Sequence, residues 1–132
     1  MKRRRWFVMA AALMAVLIGP ADRVRASERG PGETGLATVY AARFQGKRTA
    51  SGERYDRNGL TAAHKTLPFG TRVKVTRVDN GKSVVVRVND RGPHPAGRVV
   101  DMSSAAAARL GMRGNPMARV RVEVLPPATR PR

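Results

Sequence analysis

Two aspartates stand where strand-like runs end in the stretch Val84–Asp101, which reads VVVRVNDRGPHPAGRVVD. Asp90 closes the first run and Asp101 closes the second, with a loop of Gly, Pro, Arg and His between them. A strand end can present a carboxyl group to a groove, because the sheet behind it holds the side chain still. Period-two alternation predicts that Asp90 faces the same, apolar side of its strand as Val86 and Val88. This stretch is the first candidate for acid–base chemistry.

Further titratable side chains lie in residues 43–69, a long polar segment that predicts a surface loop with brief strand pieces. Glu53, Asp56 and His64 are the groups there that could face a substrate, because long ordered loops on small domains commonly carry function. A simpler interpretation is open for each of them, namely a solvated loop charge. Asp56 precedes an Asn-Gly pair, so it is also well placed for a turn-forming hydrogen bond.

The elements that must position these groups are short strands and one helix. Strand composition predicts strands over Leu36–Ala42, a hairpin over Val73–Val88 around Asp79-Asn80-Gly81, and a closing strand over Met117–Leu125. Alanines predict a helix over Ser103–Leu110 that stops at Gly111. Asp101 precedes this helix, so capping its N-terminus is an alternative role. Many short Val-rich strands favour a closed barrel over a sandwich, because closure removes exposed strand edges.

The two ends of the chain differ from the barrel segment. Residues 1–26 combine a basic start, an apolar run from Trp6 to Ile18 and small residues after it, which predicts a signal peptide. We expect cleavage after Ala26 or, alternatively, after Ala21; an uncleaved segment would instead anchor the protein in a membrane. Residues 27–34 are predicted as a flexible leader, residues 35–125 as the barrel and residues 126–132 as a disordered tail.

The charge balance indicates the kind of partner. The chain has 26 basic and 9 acidic residues, a formal net charge of +17. Residues 1–26 hold six of the basic residues and one acidic residue, so their removal would leave +12. An exported protein with this charge would be drawn to anionic wall polymers or lipid headgroups. The basic residues are scattered and accompany no nucleic-acid motif, so we expect no nucleic-acid partner. Codon usage is the other explanation, because most of the basic residues are Arg.

The chain contains no cysteine and only two histidines. The lack of cysteine excludes disulfides, thiolate metal sites, a thiol nucleophile and a lipid-modified N-terminal Cys. We therefore expect no metal, no cofactor and no lipid anchor.

Four motifs carry a resemblance to a known family. They are TASGE, TAAHKTLPFGT, VNDRGP and RVVDMS, in this order between residues 49 and 103. On these motifs the chain is similar to the rare lipoprotein A family, a septal ring lytic transglycosylase family. The resemblance implies a mainly β fold, a six-stranded double-psi β-barrel with one or two short helices. It also implies an exported protein of the periplasm or cell envelope that acts on peptidoglycan glycan strands, and we expect a monomer.

The activity implied by the resemblance is that of an endolytic peptidoglycan lytic transglycosylase. Such an enzyme closes the C6 hydroxyl of N-acetylmuramic acid onto C1 and leaves 1,6-anhydro ends. One carboxylic acid could suffice, first as acid and then as base. We expect Asp101 in this role, with Asp90 raising the pKa of Asp101 by like-charge repulsion if the two strand ends adjoin. Glu53 is the other candidate acid.

The resemblance also places the family's functional acid and histidine positions at Glu53, Asp56 and His64, which would line the groove and orient the sugar. Five further side chains are expected to bind substrate: Tyr40, Thr49, Ser51, Arg91 and Arg98. The rival interpretation is a non-catalytic, expansin-like module that grips wall glycan along the same groove. A secreted protein that inhibits another wall enzyme is a third, less favoured interpretation.

Overall fold

The computed structural model describes residues 32–127. The expected signal peptide (1–26), residues 27–31 of the expected leader and residues 128–132 of the expected tail lie outside the described residues. The described elements are, in order, β1 (Gly32–Val39), a 3₁₀ helix (Ala42–Phe44), β2 (Thr61–Ala63), β3 (Arg72–Arg77), β4 (Ser83–Asp90), β5 (Arg98–Met102), α1 (Ser104–Arg109) and β6 (Met117–Val124). No helix in this part of the chain is long and apolar enough to cross a membrane.

The six strands close into a barrel in the order β1-β5-β2-β4-β3-β6. Two neighbouring pairs, β1 with β5 and β2 with β4, run parallel, and the other four pairs run antiparallel. Closure matters because Val-rich strands with open edges would template pairing with other chains. The predicted mainly β, six-stranded double-psi β-barrel is confirmed, and α1 and the 3₁₀ helix are the short helices that accompany it.

Alternating valines on β3 and β4 build much of the core. Val73 and Val75 pair with Val86 and Val84, respectively, and all four are buried while the residues between them face outward. Complete burial of a valine side chain contributes about 1.5–3 kcal/mol, so each of these four residues stabilises the barrel. The register confirms the predicted hairpin, whose turn residue Gly81 has a φ of 74° that favours glycine.

The helix α1 is capped by Ser103. The Ser103 hydroxyl accepts a hydrogen bond from Ala106 N at 3.3 Å and donates one to Gly59 O at 2.7 Å. The alternative prediction that Asp101 caps this helix was wrong, because β5 continues to Met102 and Ser103 occupies the cap position. The helix stops before Gly111, whose φ of 72° supplies the left-handed residue predicted at this end.

The first strand is longer at its start than the composition indicated. β1 begins at Gly32, whereas the sequence predicted a flexible leader up to residue 34. Gly32 pairs with Glu123 and Glu33 pairs with Val122, so β6 provides hydrogen-bond partners that a Gly-rich segment cannot provide for itself. The expected boundary between leader and barrel is corrected accordingly.

A β-bulge in β4 reverses the predicted direction of Asp90. In the parallel ladder between β2 and β4, Ala62 pairs with Val88 but Ala63 pairs with Asp90, which leaves Asn89 as an extra residue. One extra residue shifts the period-two alternation of the strand. Ala62 belongs to the core, so Ala63 and its partner Asp90 face the other side of the sheet. The prediction that Asp90 shares a side with the valines of its strand was therefore wrong.

Candidate functional site

A row of backbone-paired residues places two carboxylates on the outer face of the barrel. Across β1, β5, β2 and β4, Thr38 pairs with Asp101, Asp101 pairs with Ala63, and Ala63 pairs with Asp90. These four residues are called the carboxylate row below. Neighbouring strands lie about 4.8 Å apart, so the Cα atoms of the two aspartates are separated by about 10 Å. Ala63, with its small side chain, lies between them in the sheet, and Asp90 is near enough for its charge to affect the pKa of Asp101.

Three hydrogen bonds hold the carboxylate of Asp90. Its Oδ2 accepts from the Tyr40 hydroxyl at 2.6 Å, and its Oδ1 accepts from Ala50 N at 2.8 Å and from Arg91 N at 2.9 Å. These donors come from the end of β1, from the TASGE loop and from the residue after β4. Asp90 is thus fixed in orientation and joins the loop to the barrel.

Asp101 has the environment of a proton donor. Burial raises the pKa of its carboxyl above the usual range, and the charge of Asp90 raises it further. The Thr38 hydroxyl, which donates to Asp101 Oδ1 at 3.2 Å, and the charge of Arg98 lower the pKa without cancelling the rise. Burial is the largest cause, whereas the sequence argument had named only like-charge repulsion. The charge of the neighbouring Asp90, which the sequence argument had named, raises the pKa of Asp101 by less than burial does.

Two tyrosines pack together beside the carboxylates, and one of them binds Asp90. The rings of Tyr40 and Tyr55 lie 4.5 Å apart between centroids, and Tyr55 is only 2% exposed. Burial and the hydrogen bond to Asp90 raise the pKa of Tyr40, so its phenol stays protonated and remains a donor. The Tyr55 hydroxyl accepts from Ser104 N at 3.2 Å. The sequence analysis missed Tyr55, although an isolated aromatic residue in a polar loop was a usable signal.

The TASGE loop folds against the end of β4. The Thr49 hydroxyl donates to Glu53 O at 2.8 Å and lies 3.0 Å from the Ser51 hydroxyl. The Glu53 carboxylate forms a two-pronged ion pair with Arg87, with Nη2 to Oε2 at 2.9 Å. This hydrogen-bonded ion pair lowers the pKa of Glu53, which favours the ionised form. Thr49 and Ser51 adjoin the carboxylate row, because Ala50 between them donates to Asp90. Glu53 is ionised at neutral pH and so has no proton to donate as an acid.

Asp56 lies in a turn on the surface. Its Oδ1 accepts from Asn58 N at 3.0 Å, and its carbonyl accepts from Gly59 N at 3.0 Å. This is the turn-forming arrangement that the Asn-Gly pair indicated.

His64 follows the last residue of β2, and its ring binds Glu33 of β1 rather than either of the two aspartates. Its Nδ1 accepts from Thr66 N and Leu67 N, both at 3.1 Å, so the ring hydrogen resides on Nε2 and is donated to Glu33 Oε1 at 2.8 Å. The sequence analysis had placed Glu33 in the leader, so this partner was missed. The structure does not bring His64 into the carboxylate row.

The two arginines expected to bind substrate have different surroundings. Arg91 Nη1 donates to His64 O at 3.2 Å and to Leu67 O at 2.8 Å, and its guanidinium lies 4.1 Å from the Phe69 ring centroid. Arg91 is thus engaged in holding the 64–69 loop. Arg98, at the start of β5, is near enough to lower the pKa of Asp101. In residues 32–127 no three His, Asp or Glu side chains converge to hold a metal ion.

Comparison with known proteins shows where this barrel recurs. The sequence profile of a family described as lytic transglycolase matches residues 32–122. A probable endolytic peptidoglycan transglycosylase RlpA from Synechocystis is 47% identical over 117 residues, 89% of this chain and 36% of that protein. The endolytic peptidoglycan transglycosylase RlpA of Vibrio cholerae is 50% identical over 109 residues, 83% of this chain and 41% of that protein. This chain thus spans well under half the length of these relatives.

Two solved structures share the fold. The Clavibacter michiganensis expansin is 21% identical with a TM-score of 0.60, covering 76% of this chain and 54% of the expansin. A Streptomyces papain inhibitor is 24% identical with a TM-score of 0.59, covering 74% of this chain and 97% of the inhibitor. At these identities the likeness concerns the barrel alone. The profile match and the identities near one half, by contrast, show that this chain belongs to the lytic transglycolase family, among the rare lipoprotein A proteins.

Proposed function

We propose that this chain is an endolytic lytic transglycosylase that cleaves the bond between N-acetylmuramic acid and N-acetylglucosamine in peptidoglycan strands. The observation that carries the proposal is the environment of Asp101, whose carboxyl adjoins the charge of Asp90 and has a raised pKa that suits a general acid. The names of the relatives at 47–50% identity support the same activity. No cofactor is required for this chemistry.

In the proposed mechanism, Asp101 acts twice. It first donates its proton to the glycosidic oxygen as the bond from that oxygen to C1 of the muramoyl residue breaks. The C6 hydroxyl of the same residue then bonds to C1 and gives its proton to the Asp101 carboxylate. The enzyme is regenerated without water, and the strand ends in a 1,6-anhydro sugar. One carboxyl group serves both steps, unlike the two carboxylates of ordinary glycoside hydrolases.

Asp90 and Tyr40 support Asp101 in this scheme. The charge of Asp90 helps to keep Asp101 protonated before the reaction, and the same charge favours return of a proton to Asp101 in the second step. Tyr40 fixes one oxygen of Asp90 and, with its ring, provides a surface on which a sugar can stack. Thr49, Ser51 and Arg98 border the row and are proposed to contact the glycan.

Glu53, Asp56 and His64 are proposed to shape and support the groove rather than to transfer protons. Glu53 is held ionised by Arg87, Asp56 stabilises its own turn, and His64 fastens β2 to Glu33 of β1. We further propose that the protein acts as a monomer in the cell envelope after export, where its basic charge draws it to anionic wall polymers.

The test is product analysis on purified glycan. The full chain is incubated with peptide-free peptidoglycan strands, and anhydromuramoyl products are measured by mass spectrometry. Asp101→Asn should reduce product formation by about 10²–10⁴-fold, the usual contribution of a general acid. Asp79→Asn is the matched control, because Asp79 lies in the β3–β4 turn paired with Arg77. Circular dichroism should show both variants folded.

Two outcomes would contradict the enzymatic proposal. Product formation by folded Asp101→Asn at the wild-type rate would remove Asp101 from the mechanism. Sedimentation of the protein with insoluble wall material, without anhydro products at any protein concentration, would instead support the expansin-like binding module. Release of that binding by moderate salt would show that charge rather than the groove provides the grip.

A further inference from the structure

A pocket of about 690 Å³ lies between α1 and the turn that follows Tyr55. Its lining includes the apolar side chains of Val39, Ala107 and Met112, of which the last two are buried. The exposed part of the lining carries three guanidinium groups, those of Arg57, Arg109 and Arg113. The proposed catalytic residues do not line this pocket.

The positive charge of this pocket is not balanced by carboxylates. No Asp or Glu belongs to its lining, and within residues 32–127 none of its three arginines forms an ion pair. Other arginines of the barrel are paired, Arg77 with Asp79 and Arg87 with Glu53. Three like charges around one concave surface raise the local concentration of anions.

The backbone that carries these arginines is held in place. Arg57 N donates to Gln45 Oε1 at 2.7 Å, and Arg57 O accepts from Ala105 N at 2.9 Å. After α1, Met112 N donates to Ala107 O at 3.0 Å, which fixes the turn that leads to Arg113. The backbone framework of the pocket is therefore formed before any ligand arrives, and binding need order only the arginine side chains.

The shape and chemistry of the pocket favour a phosphate ester over a simple ion. Guanidinium groups form paired hydrogen bonds with phosphate oxygens, and three of them can serve several oxygens at once. The volume is comparable with that of pockets that accept a whole small molecule. The apolar floor suits the carbon face of a sugar or polyol, and Asn58 and Ser104 add polar contacts.

We propose that this pocket binds a phosphate ester carried on a sugar or polyol unit of an anionic envelope polymer. Tyr55 joins the pocket to the carboxylate row, because its hydroxyl binds Ser104 N at the pocket while its ring packs on Tyr40. A bound polymer would therefore hold the barrel close to the wall with Asp101 still open to glycan. The proposal is independent of glycan cleavage, and its test measures binding alone.

The test is calorimetric titration of the full chain with glucose 6-phosphate at low salt, with glucuronate and glucose as comparison ligands. The variant Arg57→Gln/Arg109→Gln/Arg113→Gln should bind the phosphate at least about tenfold more weakly. The matched control, Lys74→Gln/Lys82→Gln/Arg119→Gln, removes the same charge from exposed positions outside the pocket and should change the affinity less than about threefold. Circular dichroism checks the fold of both variants.

Each other outcome overturns the proposal. Equal weakening in the two triple variants would show that net charge alone attracts the ligand. Binding of glucuronate as tight as that of glucose 6-phosphate would make the pocket a general anion site, and failure of the wild-type chain to bind phosphate would remove the site. The phosphate group could belong to a polymer or to a lipid headgroup, and poly(glycerol phosphate) and vesicles containing lipid A distinguish these two sources. The proposal expects the pocket variant to lose binding to the polymer. Loss of binding to the vesicles alone contradicts it.

Discussion

Asp90 and Asp101 are both backbone partners of the same residue, Ala63, one on each side of β2. β2 lies between β4 and β5, and the register of its two ladders brings the last residue of β4 and the fourth of the five residues of β5 to the same level. The bulge at Asn89 then turns Asp90 to the outer face, where Asp101 already lies. Two carboxylates 11 positions apart in the chain thereby share a site.

The pH dependence of product formation should respond to two neighbours of Asp101 in opposite directions. Asp90 raises the pKa of Asp101 and Thr38 lowers it. Because the acid must be protonated, activity falls as pH rises through that pKa. Asp90→Asn should move this alkaline limb to lower pH, and Thr38→Val should move it to higher pH. Initial rates of anhydro product formation between pH 4 and 9, with protein-free controls, measure both shifts; shifts of the same sign would refute the assignment.

Asp101→Asn should stabilise the barrel most at neutral pH. The folded-state pKa of Asp101 is raised, so its favourable contribution is present below the unfolded value of about 3.9 and is lost as pH rises through the folded value. Urea unfolding at pH 4 and pH 7 should therefore show a larger gain for the variant at pH 7. Glu53→Gln should show the opposite trend, weakly, because Arg87 lowers the pKa of an exposed carboxyl. A pH-independent difference for Asp101→Asn would contradict this.

Glu53 and Asp101 can be distinguished as candidate acids. Glu53→Gln removes one partner of an exposed ion pair and leaves the carboxylate row intact. We expect it to retain product formation within about tenfold of wild type, whereas Asp101→Asn loses about 10²–10⁴-fold. Arg87→Gln is the matched control, because it breaks the same ion pair without removing a carboxyl group. A much greater loss in Glu53→Gln than in Arg87→Gln would return the acid role to Glu53.

We expect substitution of His64 to lower the free energy of unfolding and to affect product formation only through this loss of stability. His64→Ala leaves the amides of Thr66 and Leu67 without their acceptor and should cost about 2–3 kcal/mol in urea unfolding. His64→Asn keeps an oxygen near the Nδ1 position and should recover part of that loss. We expect product formation to follow the same order, because a positioning role tolerates asparagine. Complete inactivity of a stably folded His64→Asn would indicate proton transfer by the ring.

The sequence by itself determined the local parts of this protein. The alternating valines predicted the β3–β4 hairpin, the alanines and Gly111 predicted α1 and its end, and the motifs from TASGE to RVVDMS indicated the family and its barrel. These features depend on neighbours in the chain and on side-chain periodicity, so they can be predicted from the sequence alone.

Only the tertiary structure decided how the site is assembled. The outward direction of Asp90 depends on a bulge against β2, and the length of β1 depends on hydrogen bonds from β6. The burial that raises the pKa of Asp101, the Glu33 partner of His64 and the place of Tyr55 each require contacts between residues distant in sequence. Alternation along a strand cannot foresee an extra residue opposite another strand, and composition cannot foresee which loop covers a carboxylate, because both are set by packing across the closed barrel.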